Sequence, residues 1–238
     1  MIFRLSYKRL FIVLAIISLP SFSQAQILEI GGHVGYNVSK FSVSQNKLND
    51  AIYIKAGKPF SAYSVGMQML VSPAKRQSFA YFRLIPSVLF EASLCRCGGF
   101  MELSISSPNG TRMFNELKYT IYRGEYGAKF VLSSGPLQLI VGPTISNRFY
   151  TAVQFLPNEG QKFAGDQFKA LALAYEVGLG LKFNSVHISG RFQRFVNGYG
   201  RESNLIPTVY KHSQVRFLIQ YYFLRRERGK NWSSIYWD

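Results

Sequence analysis

Few residues in this 238-residue chain could do chemistry on a substrate. The obvious general bases are three histidines, His33, His187 and His212. Catalysis by a Ser-His-acid or Asp-His arrangement needs a histidine paired with its partner residues, and nothing in the sequence pairs these histidines with a nucleophile in that way. We therefore expect no catalytic residues and a chain that is not an enzyme.

The two cysteines form a Cys-x-Cys pair, Cys95 and Cys97, in a segment that we interpret as a long loop. In an oxidising compartment such a pair can form a strained disulfide, bridge another protein, or bind metal. Metal would need further ligands, and no cluster of His or carboxylate residues stands nearby. We expect a loop disulfide or free thiols at Cys95 and Cys97, no metal site and no cofactor.

The composition excludes several classes of protein. Aromatic residues make up 16% of the chain and charged residues 17%, which is too apolar for a disordered chain. There is no apolar run of about 18 residues, so a helical membrane bundle is excluded. A single domain rich in strands and aromatic residues is what remains.

The N-terminus is typical of a secretory signal peptide. Three basic residues precede the ten-residue apolar stretch 10–19, and Ser23-Gln24-Ala25 resembles a cleavage site. Ten residues cannot cross a hydrocarbon core of about 30 Å, which disfavours a membrane anchor. The predicted domains are a signal peptide at 1–25, a β-barrel at 26–224 and a basic periplasmic tail at 225–238.

The chain is strongly basic, with 28 Lys plus Arg residues against 12 Asp plus Glu residues. The partner that this positive charge indicates depends on whether the protein is exported. A basic intracellular protein suggests nucleic acid, whereas a basic exported one suggests anionic lipid or polysaccharide. We expect outer-membrane lipid and lipopolysaccharide as partners, and no nucleic acid. The basic residues of the predicted loops are Lys47, Lys55, Lys58, Arg96, Arg112, Lys162, Lys169, Arg201 and Lys211.

Apolar residues alternate with polar ones throughout the chain, which predicts strands rather than helices. Eight such segments can be read, most of them about 10 to 17 residues long, and a tilted strand needs about 9 to 11 residues to cross a bilayer. The predicted connections 40–61, 93–115, 151–168 and 198–212 are long and polar, whereas 72–77, 133–136 and 184–185 are short. This alternation predicts an all-β fold, an eight-stranded antiparallel up-and-down transmembrane β-barrel in the outer membrane with both termini periplasmic.

The polar face of these strands contains many Gly and Ser residues and charges of both signs. A lipocalin-like soluble barrel would expose this face, but its charges are too sparse for a solubilising exterior. As a lumen, charges of mixed sign can pair away from lipid. The predicted lumen charge network is Arg83, Glu91, Arg123, Glu125, Lys129, Arg148, Glu176, Lys182, Arg191 and Arg216.

The sequence resembles the eight-stranded outer-membrane barrels of Bacteroidetes of the PorT-like type. The features are diffuse: Gly32-His33-Val34-Gly35-Tyr36 in the first strand, Pro86 in the third, Val141-Gly142-Pro143 in the fifth and Val177-Gly178-Leu179-Gly180 in the sixth. The resemblance implies a role in protein secretion or envelope assembly, with a periplasmic or secretion-machinery protein as partner. One departure is the tail that follows the last predicted strand aromatic, Phe223.

An eight-stranded barrel is just wide enough to be filled by its own side chains. We therefore expect a non-enzymatic barrel that presents extracellular loops. The alternatives are a small pore or transporter and, less favoured by the residues, an enzyme that modifies lipids or peptides.

Overall fold

The structure is a computed structural model, and it describes residues 25–43, 47–49, 52–73, 84–106, 112–156, 162–164, 170–196, 210–227 and 233–234. The predicted signal peptide lies almost wholly outside these residues. Within them, no helix combines the length and apolar character of a membrane span.

Eight long strands close into one antiparallel ring in which each strand pairs with its neighbours in sequence, and β8 pairs with β1. This confirms the predicted eight-stranded up-and-down barrel. The strands are β1 Ala25–Val43, β2 Phe60–Pro73, β3 Leu84–Ser106, β4 Arg112–Ser134, β5 Leu137–Leu156, β6 Leu171–Phe183, β7 Val186–Phe195 and β8 Tyr210–Glu227.

Two of the predicted short connections are tight turns. Gly135 has a φ of 56° between β4 and β5, and Asn184 has a φ of 49° between β6 and β7. Gly and Asn are the residues that adopt this left-handed conformation most readily, so the local sequence explains both turns. We call this end of the barrel the turn end and the opposite end the loop end. The third predicted short connection, 72–77, falls mostly outside the described residues.

The long connections are shorter than predicted because several strands continue past their predicted ends at the loop end. In particular, the predicted loop 93–115 is wrong: β3 and β4 pair continuously from Leu84 opposite Ser134 to Ser106 opposite Arg112. The alternation becomes weaker there because Gly98 and Gly99 interrupt it. Short strands at Ile52–Ala56 and Lys162–Ala164 extend the same sheet at the loop end.

The hydrogen-bonded register fixes the geometry of the barrel. A path that starts at Val38 and steps from partner to partner around the barrel returns to β1 at Leu28, ten residues nearer the start of the strand. With eight strands, this stagger implies a tilt of about 40° to the barrel axis. The path runs Val38, Val215, Phe192, Val177, Val141, Phe130, Val88, Val71 and Leu28.

Every residue on this path is Val, Leu or Phe and occupies an outward position in the alternation, although Val71 and Val88 are themselves buried. Large apolar side chains around it are exposed, such as Leu179 at 67% and Tyr63 at 75%. In one circuit this path rises about 25 Å along the barrel axis, which is comparable with the height of the lipid-facing band of a transmembrane barrel. Among the described residues, exposed charges lie beyond this apolar band on the outer face: Lys40, Lys58, Arg96, Glu102 and Arg194 towards the loop end, and Arg226 towards the turn end.

The predicted boundary at residue 225 is wrong for the first residues of the tail. Strand β8 continues to Glu227, and Ser233–Ser234 pairs with Leu224 and Arg225. On β1, the neighbours Ile30 and Gly31 lie opposite Leu224 and Tyr222, so β8 has one extra residue at this point. The extra residue shifts the alternation of apolar and polar residues, and the sequence pattern therefore did not show that the strand continues.

An arginine in the middle of the apolar band should destabilise the barrel far more than one at its edge. Replacing Val177 with Arg should lower the free energy of unfolding from lipid vesicles by about 2–4 kcal/mol, because the guanidinium would lie near the bilayer midplane. The matched control, Ser61→Arg near the loop end, should lower it by about 0–1 kcal/mol. Urea titration, followed by the electrophoretic shift between unheated and boiled samples, measures both; equal effects would contradict the membrane placement.

Candidate functional site

The inward face of the strands brings together a buried cluster of ionised side chains, which we call the central charge cluster. Alternation alone places these residues inside, since neighbours two apart on a strand share a face. Each is less than 9% exposed, and each lies between the two ends of the lumen. The cluster consists of Glu91, Arg123, Glu125, Lys129, Glu176, Arg191 and Arg216.

Glu176 on β6 is the hub of the cluster. Its carboxylate lies 2.7 Å from Lys129 Nζ, 3.1 Å from Arg191 Nη1 and 3.3 Å from Arg216 Nη1. These three cations come from β4, β7 and β8, so one carboxylate links four strands across the lumen. Charge-assisted contacts of this kind are roughly twice as strong as neutral hydrogen bonds.

Glu91 on β3 holds two of these cations, Lys129 and Arg191, from the opposite wall. It accepts a hydrogen bond of 2.7 Å from Arg191 Nη1 and pairs directly with Lys129. The amide of Gln220 donates to the same carboxylate at 3.3 Å. Glu91 and Glu176 together therefore neutralise Lys129 and Arg191, which would be costly to bury without partners.

Glu125 extends the cluster towards the loop end. Its carboxylate lies 2.6 Å from Arg123 Nη2 and 2.9 Å from Arg216 Nη1. Arg123 also donates to Gln193 at 3.4 Å, and its guanidinium carbon lies 4.6 Å from the centre of the Phe195 ring. Across the cluster, four cations face three carboxylates, so the buried pairing is nearly complete.

Apolar side chains close the lumen above the cluster. We call this group the upper apolar layer; it is at the loop end. His212 lies within it, with its ring centre 5.0 Å from that of Phe41 and 5.1 Å from that of Phe195. The layer consists of Phe41, Cys97, Met101, Leu117, Tyr119, Ile121, Val153, Ala172, Ala174 and Phe195, all buried.

A second group, the lower apolar layer, closes the lumen at the turn end. It consists of Leu70, Leu89, Val131, Ile140 and Tyr222, each no more than 3% exposed. The His187 ring packs at a tilt against the Tyr222 ring, with the two ring centres 4.5 Å apart. Below this layer, Lys182 Nζ pairs with Glu29 at 2.8 Å, at the mouth of the barrel.

The structure brings together seven of the ten residues predicted for the lumen network. Lys182 lies apart at the turn-end mouth, and Arg148 lies near the loop end, where it donates to Thr151 at 3.3 Å. Arg83 lies outside the described residues. The prediction missed Glu29, although its odd position on the polar face of the first strand was a usable signal.

Of the two states expected for Cys95 and Cys97, a disulfide or free thiols, the structure has free thiols, and it places both residues in a strand rather than in the predicted loop. Both residues lie on β3, both are buried and both are free thiols. Residues two apart on an extended strand are about 6.7 Å apart and point the same way, which does not suit a disulfide. The Cys95 thiol instead donates to Glu125 at 3.4 Å, and so belongs to the edge of the central charge cluster.

The described residues contain no group of three His, Cys, Asp or Glu side chains that could hold a metal ion. His33 lies in the lumen with both ring nitrogens lacking a hydrogen-bond partner, and the His187 ring packs at a tilt against Tyr222. The ion pairs of the central charge cluster hold strands together across the lumen.

No protein-family model and no curated protein sequence matches the chain. Among solved structures, it is similar to the attachment invasion locus protein Ail of Yersinia pestis, solved with the heparin analogue sucrose octasulfate. The identity is 14%, the TM-score is 0.43, and the match covers 83% of this chain and 98% of Ail. Neisserial surface protein A is similar at 11% identity and a TM-score of 0.43, over 82% of this chain and 97% of that protein.

Removal of the hub carboxylate should destabilise the barrel strongly. Glu176→Gln leaves Lys129, Arg191 and Arg216 with too few carboxylates in a buried site, so we expect a loss of about 3–5 kcal/mol in the free energy of unfolding. Glu227→Gln is the matched control, because its pair with Arg225 is about 40% exposed and should contribute about 0–1 kcal/mol. Urea titration of both variants in the same detergent measures the difference, and a Glu176 variant as stable as the control would refute the hub role.

Proposed function

We propose that this protein is a non-conducting, non-enzymatic barrel of the outer membrane that presents its extended strands and loops at the cell surface. The support for a membrane location is the apolar band on the outer face, because the exposed charges of the described residues lie beyond its edges. The alternation of tight turns and longer connections supports periplasmic termini, because outer-membrane barrels have short turns on that side.

The observation that carries the proposal of a closed barrel is the filled lumen. An ion would have to pass the upper apolar layer, the central charge cluster and the lower apolar layer in turn. Arg123, Arg191 and Arg216 are each 1% exposed, so no solvated path runs along these cations. A pore or transporter would need to dismantle ion pairs that link four strands, which disfavours that alternative.

The surface that would be presented is the sheet at the loop end. Strands β3, β4 and β5 pair beyond the apolar band, up to Ser106 opposite Arg112 and Glu116 opposite Leu156. By contrast, β6 begins at Leu171, opposite Asn147, so one side of the barrel is taller than the other. An extended sheet of this kind offers a rigid surface for a partner.

The finer proposal is that the protein assists protein secretion or envelope assembly, as its resemblance to PorT-like barrels implies, and that its partner belongs to that machinery. Outer-membrane lipid and lipopolysaccharide remain the proposed lipid partners. In the part of the chain that the structure describes, no nucleophile is paired with His33 or His187, which disfavours an enzyme that modifies lipids or peptides.

The orientation can be tested with an epitope tag at either end of the barrel. A tag inserted between Ser106 and Arg112 should be labelled by antibody on intact cells. The same tag in the turn at Gly135-Pro136 should be labelled only after the outer membrane is permeabilised. The reverse pattern, or recovery of the protein in the soluble periplasmic fraction, would contradict the proposed placement.

The closed lumen can be tested in planar lipid bilayers. The purified protein should give no steady conductance above that of the lipid alone, because two apolar layers and the ion-paired cluster block the path. Phe41→Ala combined with Phe195→Ala should stay silent, since the lower layer and the cluster remain. A reconstituted porin serves as the positive control, and regular channel steps from the wild-type barrel would favour the pore.

A further inference from the structure

The outer face of the barrel carries a depression of about 760 Å³ within the apolar band. It crosses six neighbouring strands, from Leu137 on β5, past Leu179 and Gly190, to Tyr36 and Tyr63 on β1 and β2. Five strand spacings make it about 24 Å long. Because the strands are tilted, it rises obliquely from the turn end towards the loop end.

Gly190 deepens the depression near its centre. It occupies an outward position of β7, between Phe217 on β8 and Leu179 on β6 in the register. A Cβ added at Gly190 would meet nothing nearer than 3.8 Å, at the Phe217 ring. The missing side chain therefore leaves open space with an apolar wall on either side.

Hydrocarbon is the occupant that suits this space. The lining is formed by Val, Leu, Ile, Phe and Tyr side chains and by strand backbone already paired within the sheet. If the depression stayed empty, the side chains that line it would lose dispersion contacts on that side. A flexible acyl chain can fill the space and restore these contacts without needing a polar partner. A long, narrow and oblique shape fits one chain better than the flat surface of another barrel.

Two exposed cations lie beyond the upper end of the depression. The rings of Tyr36 and Tyr63 meet there with their centres 5.7 Å apart. Lys40 lies four residues beyond Tyr36 on the same face of β1. Arg96 lies on β3, and its guanidinium carbon is 5.4 Å from the Phe60 ring centre on β2 and 5.7 Å from the Tyr122 ring centre on β4. Tyr, Lys and Arg at this level are typical of a lipid headgroup region, where each cation favours anionic lipid.

We infer that this depression, the Gly190 groove, is a binding site for a phosphorylated lipid. One acyl chain lies in the groove, and Lys40 and Arg96 contact the phosphate. The inference rests on the proposed membrane placement, which puts the groove in the outer half of the bilayer at its upper end. Free phosphate would contact the cations but would gain nothing from the apolar groove.

The test is retention of phosphatidate by the whole barrel. Protein reconstituted in phosphatidylcholine nanodiscs that contain a minor fraction of phosphatidate is released into mild detergent, and bound lipid is counted by native mass spectrometry. The wild type should retain one phosphatidate, Gly190→Leu should retain about tenfold less, and Lys40→Gln with Arg96→Gln should also lose about tenfold. Ala92→Leu, on the outer face of β3 away from the groove, should retain lipid like the wild type.

Each other result overturns the inference. Unchanged retention in Gly190→Leu, or an equal loss in Ala92→Leu, would mean that lipid binds without the groove. Competition by glycerol phosphate would assign binding to the phosphate alone. A dimer that Gly190→Leu disrupts, with lipid retention unchanged, would make a second copy the occupant. The epitope-tag and planar-bilayer experiments are independent of this one. A folded barrel that is labelled at the cell surface, conducts no ions and retains no phosphatidate would contradict only the lipid-binding inference.

Discussion

Pairing of buried charge inside a closed sheet is the constraint on which the rest of this structure depends. The barrel must hide every backbone donor and acceptor from lipid, and closure of β8 onto β1 achieves this. Closure also turns one face of every strand inward, where lipid cannot reach. Charged residues are tolerated there only because Glu91, Glu125 and Glu176 lie among the four cations they neutralise. The outer face is then free to be uniformly apolar.

The arrangement of these pairs favours one register over its neighbours. Glu176 contacts cations from three other strands, and Glu91 contacts two of the same cations from the far wall. A slip of one residue in any of these strands would move its charge from the lumen to the lipid face. An apolar lumen would tolerate such a slip more easily, because apolar side chains can face either the lumen or the lipid at little energetic cost. The charge cluster therefore acts against misregistered barrels, at the expense of desolvating seven ionised groups.

The sequence was sufficient for the fold and for most of the lumen, for a reason specific to barrels. Strict alternation on strands such as β6, with Val177 outward and Glu176 inward, encodes both the secondary structure and the face that each residue occupies. Seven predicted charges could therefore be placed in one cluster without knowing which would pair. Pairing depends on the stagger between strands, which brings Glu176 near Lys129 although 47 residues separate them, and alternation within a strand carries no such information.

The failures occur where alternation stops being a reliable guide. Gly98 and Gly99 interrupt it on β3, so the strand beyond Cys95 looked like a loop and the two thiols looked available for a disulfide. The extra residue near Leu224 shifts it on β8, which hid the end of that strand. Gly190 is the opposite case, since it preserves the alternation but removes an outward side chain. A missing side chain on the lipid-facing surface changes neither the alternation of the sequence nor the hydrogen-bonded pairing of the strands. It changes only the shape of the surface that contacts lipid. The gap can therefore be recognised only from the register, which places Phe217 and Leu179 on either side of Gly190.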